Sequence, residues 1–196
     1  MRSTHRTYAC NGDQRPSAVK LAAQILPYAG SRTGYVEYDP GAVGAAAQAA
    51  ALIESAVPYI EVEHIGSTAV PNCAGKGIVD LMALYPAGKL AATREAIDRI
   101  GFQRQKIGHI FPEERPMRVG AIEHAGKRYR LHLHLIGANS PEKESLRRFR
   151  DALRADPVLR DAYQAKKRAI LISGLSEPKD YTHAKGEFID SVIGRH

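Results

Sequence analysis

The chain has 196 residues, 44% of them hydrophobic and 25% charged, so it can form one domain with its own core but not two large ones. No run approaches the roughly 18 consecutive apolar residues of a membrane span, and the N-terminal region lacks the apolar core of a signal peptide. These features exclude membrane-spanning and fibrous classes, and we expect a cytoplasmic location. Two cysteines are too few for a disulfide framework.

The formal net charge of +7 is unevenly distributed. Residues 127–196 contain 15 Lys and Arg against 9 Asp and Glu and therefore carry +6 of it. A basic half of this kind attracts phosphate groups of any source. Because the chain has no Trp, only four Phe and no basic strand interleaved with aromatic residues, we favour a small anionic partner over nucleic acid.

Residues 1–34 show no clean hydrophobic period, which predicts a partly ordered N-terminal arm around one short helix near residues 18–26. The first clear helix follows this arm. Asp39 is a capping residue and Pro40 suits the first helical turn, so a helix is predicted from there to about Ala56.

Two strands are predicted next, separated by a glycine-containing turn. Residues 59–65 alternate between apolar and polar side chains, and a second, more apolar run covers residues 77–84. The second run carries Asp80 on the same face as Met82. A carboxylate inside an apolar strand indicates a specific role for that residue.

The pattern then alternates between helix and hairpin. An amphipathic helix is predicted over residues 89–100 and an antiparallel hairpin over residues 118–123 and 127–136. Three further helices are predicted to begin at Ser140-Pro141, at Asp156-Pro157 and near Tyr181.

The order of these elements predicts an α+β fold, a small mixed sheet flanked by helices. We expect a sheet core over about residues 35–138 and a helical C-terminal part over about residues 139–196.

The turn between the first two strands is the most informative feature for function. Backbone N–H groups of Gly66 and Ser67 can cradle phosphate oxygens, and Asp80 on the next strand can hold Mg²⁺ that bridges those phosphates. This combination is typical of a nucleoside triphosphate site. On the bare pattern an ordinary turn and a carboxylate that caps a neighbouring helix stay open as alternatives.

The residues around this turn resemble the signature of the GrpB family, also called UPF0157. The resemblance lies in VEHIGSTAVP at residues 62–71, AGK at residues 74–76 and IVDL at residues 78–81. Other matching positions follow in order: Tyr38-Asp39-Pro40, Gly101-Phe102, His132-Leu133-His134, Phe149-Arg150-Asp151, Tyr163 with Lys167, and Tyr181 with Lys185, Phe188 and Ile189. It covers about residues 35–193.

The resemblance implies a fold similar to nucleotidyltransferases of the DNA polymerase β type, and hence ATP or another nucleoside triphosphate as substrate. Those enzymes hold two Mg²⁺ ions with strand carboxylates at positions i and i+2. Here Met82 stands where the second acid would be, which places the two-metal mechanism in doubt. The family is also similar to a domain fused to dephospho-coenzyme A kinase, which suggests coenzyme A metabolism by association.

Two histidines could complete a metal site with Asp80 if their strands pair. His132 and His134 share one face of the predicted hairpin, and two imidazoles with a carboxylate favour Mn²⁺, Fe²⁺ or Zn²⁺ over Mg²⁺. We therefore predict Asp80, His132 and His134 as catalytic and metal-binding residues, with Mg²⁺ or Mn²⁺ as the expected ion and Zn²⁺ as a further possibility. Internally bonded histidines are the other interpretation.

The remaining candidates are basic or aromatic. The residues predicted to bind the nucleotide are Gly66, Ser67, Thr68 and Lys76. The residues predicted to bind an anionic small-molecule substrate are Arg130, Arg150, Tyr163, Lys167, Tyr181 and Lys185. A solvated basic helix face and core tyrosines are the structural alternatives for this second set.

Three functions are compatible with these residues, and a basic protein associated with RNA or DNA is the least favoured. The first is a metal-dependent nucleotidyltransferase acting on a small acceptor, with adenylation of a carboxylate on the way to ligation as a variant. The second is a non-catalytic nucleotide- or anion-binding module that has lost one acid, for which Met82 is the best support.

Overall fold

The computed structural model describes residues 24–29, 34–106, 110–172 and 178–194. Within these ranges the helices are α1 (Gly41–Ala56), α2 (Leu90–Arg99), α3 (Glu142–Ala155), α4 (Pro157–Ile172) and α5 (Pro178–Ile193). The strands are β1 (Glu61–Ile65), β2 (Ile78–Tyr85), β3 (Gln103–Arg104), β4 (Met117–His124) and β5 (Lys127–Gly137). The predicted α+β class with a mixed sheet is confirmed.

The five strands form one sheet in the order β1-β2-β5-β4-β3. β2 and β5 are parallel, and the other neighbouring pairs are antiparallel. The parallel register sets Asp80 opposite His132 and Met82 opposite His134. Because side chains of directly paired residues point to the same face, the carboxylate and both imidazoles share one side of the sheet.

The other side of the sheet forms the main core with α1 and α2. Leu81 and Leu133 of the two central strands are fully buried there, and α1 presents alanines that allow close approach to the sheet. The carboxylate of Asp39 accepts a hydrogen bond from the Gly41 N–H at 2.9 Å, which stabilises the start of α1. The predicted first helix is therefore confirmed.

The predicted hairpin is also confirmed. β4 and β5 are joined by Ala125 and Gly126, both with positive φ (50° and 76°), as a tight two-residue hairpin turn requires.

The C-terminal helices pack on one another and against the loop that follows β1. Their apolar cluster contains Val70, Cys73, Phe149, Leu153 and Tyr163, with Phe188 and Ile189 of α5 against it. A smaller cluster, which contains Met82 and against which Leu146 of α3 packs, covers part of the sheet face that carries Asp80. The rest of that face is left to the polar residues.

The N-terminal segment differs from its prediction. Leu26, placed at the end of a predicted helix, is extended and forms a β-bridge with Ala121 through N–O hydrogen bonds of 2.8 and 2.9 Å. Residues 18–23 lie outside the described ranges. The edge of β4 offers unpaired backbone groups to this segment, and that pairing outweighs local helix propensity. Among the described helices, none has the length and apolar character needed to cross a membrane.

Candidate active site

Asp80 lies at the centre of the polar sheet face. Its Oδ1 is 3.5 Å from His132 Nδ1 and 3.9 Å from His134 Nε2. Burial opposes ionisation of this carboxyl, but the two imidazoles outweigh that effect and hold its pKa well below its usual range. The parallel pairing of β2 and β5 thus brings the three predicted catalytic residues together around an ionised carboxylate.

The Gly66-Ser67 turn lies directly against this carboxylate. Gly66 has a φ of 71°, and a Cβ at this position would come within 2.6 Å of Asp80 Oδ2. A residue other than glycine is therefore excluded here by both backbone conformation and space.

Thr68 and His64 hold the turn in place. The Thr68 hydroxyl donates to the Ile78 carbonyl at 3.1 Å, and His64 Nε2 lies 3.0 Å from the same hydroxyl oxygen. Burial lowers the pKa of His64 to about 4, so the imidazole is neutral and donates its Nε2–H to Thr68. Thr68, predicted to bind phosphate, has its hydroxyl engaged in this structural bond.

A buried ammonium lies behind the turn. Lys167 of α4 is 3% exposed and donates to the Ala74 carbonyl, with Cys73 Sγ 3.6 Å away. A Cβ on Gly75 would lie 2.9 Å from Ser67 Oγ and 3.1 Å from Lys167 Nζ, so both side chains approach Gly75 closely. Burial, reinforced by the charge of Lys185, lowers the pKa of Lys167 to about 8.

Further cations surround Asp80. Burial lowers the pKa of Lys76 to about 8, and the charges of Lys185 and Arg130 act in the same direction while Asp80 opposes them. Arg130 donates to the Lys76 carbonyl at 2.8 Å. We call Lys76, Arg130, Lys167 and Lys185 the cation cluster, because Lys76 and Lys167 interact with Asp80 and the charges of Arg130 and Lys185 act on these lysines. Such a group of positive charges favours binding of an anion.

Two aromatic residues that the sequence pattern did not reveal border the histidines. The Tyr28 hydroxyl lies 3.3 Å from His132 Nε2, and its ring centroid is 5.7 Å from the imidazole. Phe111 meets His134 edge-on at 5.5 Å. Both lie in irregular segments without a hydrophobic period, so no local signal could have identified them.

Arg115 is the third residue missed by sequence reasoning. Its Nη1 lies 2.9 Å from His134 Nδ1, and the same guanidinium pairs with Glu142 of α3. His134 therefore lies between an arginine and an aspartate. Burial, together with the charge of Arg115, lowers the pKa of His134, which keeps the imidazole neutral.

Comparison with known proteins identifies the family. A family model described as GrpB protein matches residues 34–195. The chain belongs to the GrpB family. It is 30% identical to a UPF0157 protein of Streptomyces coelicolor over 69% of this chain and 68% of that protein. It is 26% identical to a UPF0157 protein of Halalkalibacterium halodurans over 88% and 86% of the two chains.

Solved structures agree with the family at the level of fold. The crystal structure of conserved protein GrpB from Enterococcus faecalis matches with a TM-score of 0.63 and 22% identity, over 83% of this chain and 98% of that one. Chains of the Cid1 poly(U) polymerase also match, at 13% identity and a TM-score of 0.40 over 67% of this chain and 45% of that one. The second similarity is too distant to inform the function.

In this GrpB family member, the contacts of Arg150 are with β1 and with its own helix. Its guanidinium bonds to Glu63 at 3.1 Å, to the His64 carbonyl at 3.2 Å and to Asp151 at 2.8 Å. These bonds tie α3 to β1. The structure thus assigns Arg150 a structural contact where a substrate contact was predicted, because Glu63 on the neighbouring strand offers a carboxylate within reach.

Tyr163 is a core residue of the same family member. It is 2% exposed, stacks on Phe188 at 5.4 Å and meets Phe149 edge-on at 5.1 Å. Lys167 Nζ lies 4.3 Å from the ring centroid. No ring face is left for a nucleobase. Tyr181 lies on α5, and its side chain is outside the described part of the structure.

The described residues form no ready-made site for one metal ion or for a pair. Within the described ranges, no cluster of three or more His, Cys, Asp or Glu side chains is arranged to hold a metal ion. Met82, at the position of a second acid, is fully buried with Ile65, Leu84 and Ile136. A single carboxylate is enough for a Mg²⁺ ion that arrives with substrate phosphates, because such ions keep several water and phosphate ligands.

Proposed function

We propose that this GrpB-family chain binds ATP or a related nucleoside triphosphate at Asp80 and transfers the nucleotidyl group to an anionic small molecule. The observation that carries the proposal is one ionised carboxylate, Asp80, beside the Gly66-Ser67 turn and within the field of the cation cluster. Cations alone would bind any anion. A carboxylate among them favours an anion that brings its own metal ion.

The residues of the site have distinct roles in this proposal. Asp80 and Nδ1 of His132 would together hold a single Mg²⁺ or Mn²⁺ ion. When bound, this ion would neutralise phosphate charge. Lys76 would face the phosphates, and Lys167, buried behind the turn, would add positive charge to the site without touching them. Arg130 and Lys185 would hold the acceptor. The acceptor oxygen forms a bond to the α-phosphorus as the bond to pyrophosphate breaks, and the cation cluster stabilises the departing charge.

A carboxylate is the acceptor chemistry that the site favours. A carboxylate attacks without losing a proton, so no general base is needed, and the product is an acyl adenylate ready for ligation. The neutral His134, with a guanidinium on Nδ1, is poorly placed to act as such a base. A link to coenzyme A metabolism would follow if the activated acid is passed to the thiol of coenzyme A.

One observation favours the second candidate, a module that binds nucleotide without turnover. Met82 occupies the position of the second acid, and it is also enclosed in an apolar cluster. The two candidates differ in whether pyrophosphate is released from bound nucleotide in the presence of carboxylic acids.

The test is calorimetric titration of the full chain with ATP, in Mg²⁺ and then in Mn²⁺. We expect saturable binding that Asp80→Asn weakens by at least about tenfold, as loss of a charge-bearing ligand implies. Asp161→Asn is the matched control, because Asp161 is 70% exposed on α4 and pairs with Arg160. Absence of nucleotide binding in both metals would overturn the proposal. Binding without pyrophosphate release from a panel of carboxylic acids would favour the binding module.

A further inference from the structure

The two histidines beside Asp80 differ in the group that contacts the ring nitrogen farther from Asp80. His134 Nδ1 lies 2.9 Å from Arg115 Nη1. A guanidinium only donates hydrogen bonds and does not lose its proton in proteins. Nδ1 of His134 must therefore be the acceptor, which leaves the ring proton on Nε2, the nitrogen that faces Asp80 Oδ1 at 3.9 Å.

The Arg115 guanidinium is fixed, so His134 Nδ1 keeps it as hydrogen-bond partner. Nε of Arg115 donates to Glu142 Oε2 at 2.9 Å, and Nη2 of Arg115 donates to the other carboxylate oxygen. This bidentate pair sets the guanidinium plane. The Phe111 ring lies 4.8 Å from the guanidinium carbon on a second side.

The loop that carries Arg115 is anchored separately. Glu113, two residues earlier, accepts hydrogen bonds from Arg94 at 2.9 Å and from Arg118 at 3.2 Å. Arg118 is 1% exposed, so one side of this anchor is buried, while Glu113 and Arg94 stay partly exposed. Rotation of Arg115 away from His134 would break its bidentate pair with Glu142.

His132 is free of this constraint. Its outer nitrogen, Nε2, faces the Tyr28 hydroxyl at 3.3 Å, and a hydroxyl can either donate or accept. Both tautomers of His132 are therefore compatible with its surroundings. Nδ1 of His132 can carry a proton toward Asp80 or present a lone pair to a cation.

We propose that Arg115 is a positioning residue that keeps His134 as an Nε2–H donor, so that His134 serves the site as a hydrogen-bond donor and not as a metal ligand. The donor is aimed at Asp80 in the free protein. In the complex with nucleotide, this N–H group would donate to a phosphate oxygen, and that step rests on the proposed function. This proposal narrows the predicted metal ligands from three residues to Asp80 and His132.

The first test needs no nucleotide. Nitrogen-15 NMR of histidine-labelled full-length protein at pH 8, where an ordinary imidazole is neutral, distinguishes protonated from unprotonated ring nitrogens. We expect the His134 signals to show a proton on Nε2 and none on Nδ1, assigned by their loss in His134→Gln. A proton on Nδ1 overturns the proposal.

A variant pair tests the role of Arg115. Arg115→Gln offers His134 a side-chain oxygen as well as an N–H group, so we expect a mixture of both tautomers. Arg99→Gln is the control, because Arg99 is 69% exposed and pairs only along α2 with Glu95, and it should leave the His134 signals unchanged. An unchanged single tautomer in a folded Arg115→Gln protein overturns the role of Arg115. If that variant does not fold, Glu142→Gln replaces it, and the wild-type spectrum still decides the tautomer.

Titration with Zn²⁺ alone separates this proposal from the proposed function. We expect the His132 Nδ1 signal to shift while the His134 Nε2–H signal persists. Loss of the His134 Nε2–H signal overturns the donor assignment. A protein that shows the expected tautomer but binds no ATP supports the assignment of His134 and refutes the nucleotide site.

Discussion

At the scale of single residues, Asp80 and Met82 lie in different environments although they belong to the same strand. Both point to the same face of β2, two positions apart. Asp80 has imidazoles and ammonium groups around it, whereas Met82 is enclosed by Ile65, Leu84 and Ile136. The spacing i, i+2 alone therefore does not define a pair of metal ligands.

A consequence is that an acid at position 82 destabilises the fold instead of restoring a second metal site. Met82→Asp would place a carboxylate in an apolar cluster, at a cost of about 3–5 kcal/mol if its charge stays uncompensated. Met82→Leu keeps the volume and polarity and should cost less than about 1.5 kcal/mol. Urea unfolding of both variants measures the difference. A Met82→Asp protein as stable as the wild type would show that the cluster tolerates charge.

The two lysines with lowered pKa make anion binding dependent on pH. Lys76 and Lys167 have pKa values of about 8, so both are mostly protonated at pH 7 and lose their charge as the pH rises through 8. Bound phosphate favours the protonated form. ATP affinity should thus be level below pH 7 and fall above pH 8, by up to about tenfold per pH unit for each proton taken up on binding.

Lys76→Arg is the matched variant for this pH dependence. Arginine keeps its charge, so the decrease above pH 8 should become shallower while the affinity at pH 7 stays similar. Calorimetry at pH 6.5, 8 and 9.5 provides the comparison. Equal slopes for the two proteins would mean that Lys76 does not face the anion.

At the scale of elements, local signals predicted where helices begin. Asp156 illustrates this, since its carboxylate accepts hydrogen bonds from the Val158 and Leu159 N–H groups at 2.8 and 3.0 Å, as expected of a cap before α4. The alternation of residues 127–136 predicted β5 and the shared face of His132 and His134. These predictions succeeded because capping and periodicity depend on residues close in the sequence.

Contacts between elements were less predictable. The sequence predicts a substrate contact for Arg150 of α3, but Arg150 and Arg147 both pair with Glu63 of β1. Arg154 of the same helix donates to the Ala69 carbonyl at 2.8 Å. The positive charges were visible in the sequence. Their partners were not, because helix docking depends on packing between residues more than 80 positions apart.

The contact of α3 with Glu63 should contribute measurably to the free energy of unfolding. Glu63 is 17% exposed, and both arginines are mostly buried, so Glu63→Gln should lower the free energy of unfolding by about 1–3 kcal/mol. Glu95→Gln, in an exposed pair with Arg99, should change it by less than about 0.5 kcal/mol. Denaturant titration of the two variants tests this. Equal effects would mean that the α3 contact contributes no more than a surface pair.

The Glu63 contact also has a defined pH dependence. Burial raises the pKa of Glu63, but the hydrogen bonds and charges of Arg147 and Arg150 outweigh it, so the pKa is lower in the folded than in the unfolded chain. The stabilisation is therefore present above the pKa of the unfolded glutamate and is lost as the pH falls through the folded value.

At the scale of the whole molecule, the site is assembled from segments distant in sequence. Asp80, the His132 strand, the Arg115 loop and Lys167 of α4 belong to the region matched by the family model, residues 34–195. Tyr28 precedes that region and contacts His132. It is placed there because Leu26 pairs with β4 and Ile25 packs near Gly120. The N-terminal segment thus adds a side chain to a site that the family region otherwise provides.

Tyr28 should accordingly affect metal binding through His132. The hydroxyl is the hydrogen-bond partner of the outer His132 nitrogen, and loss of such partners typically weakens metal binding about 10- to 100-fold. We therefore expect Tyr28→Phe to lower the Mn²⁺ affinity about tenfold without changing the free energy of unfolding by more than about 1.5 kcal/mol. Paramagnetic relaxation titration with Mn²⁺ measures the first quantity and urea unfolding the second.

Tyr59→Phe is the control for this measurement. The Tyr59 hydroxyl makes a contact of the same length, 3.3 Å to the Thr93 hydroxyl, but joins α2 on the far side of the sheet and has no link to Asp80. Its removal should leave Mn²⁺ affinity unchanged. If Tyr28→Phe and Tyr59→Phe bind Mn²⁺ equally well, the N-terminal segment only covers the sheet edge. If only Tyr28→Phe loses affinity, this segment is part of the functional site.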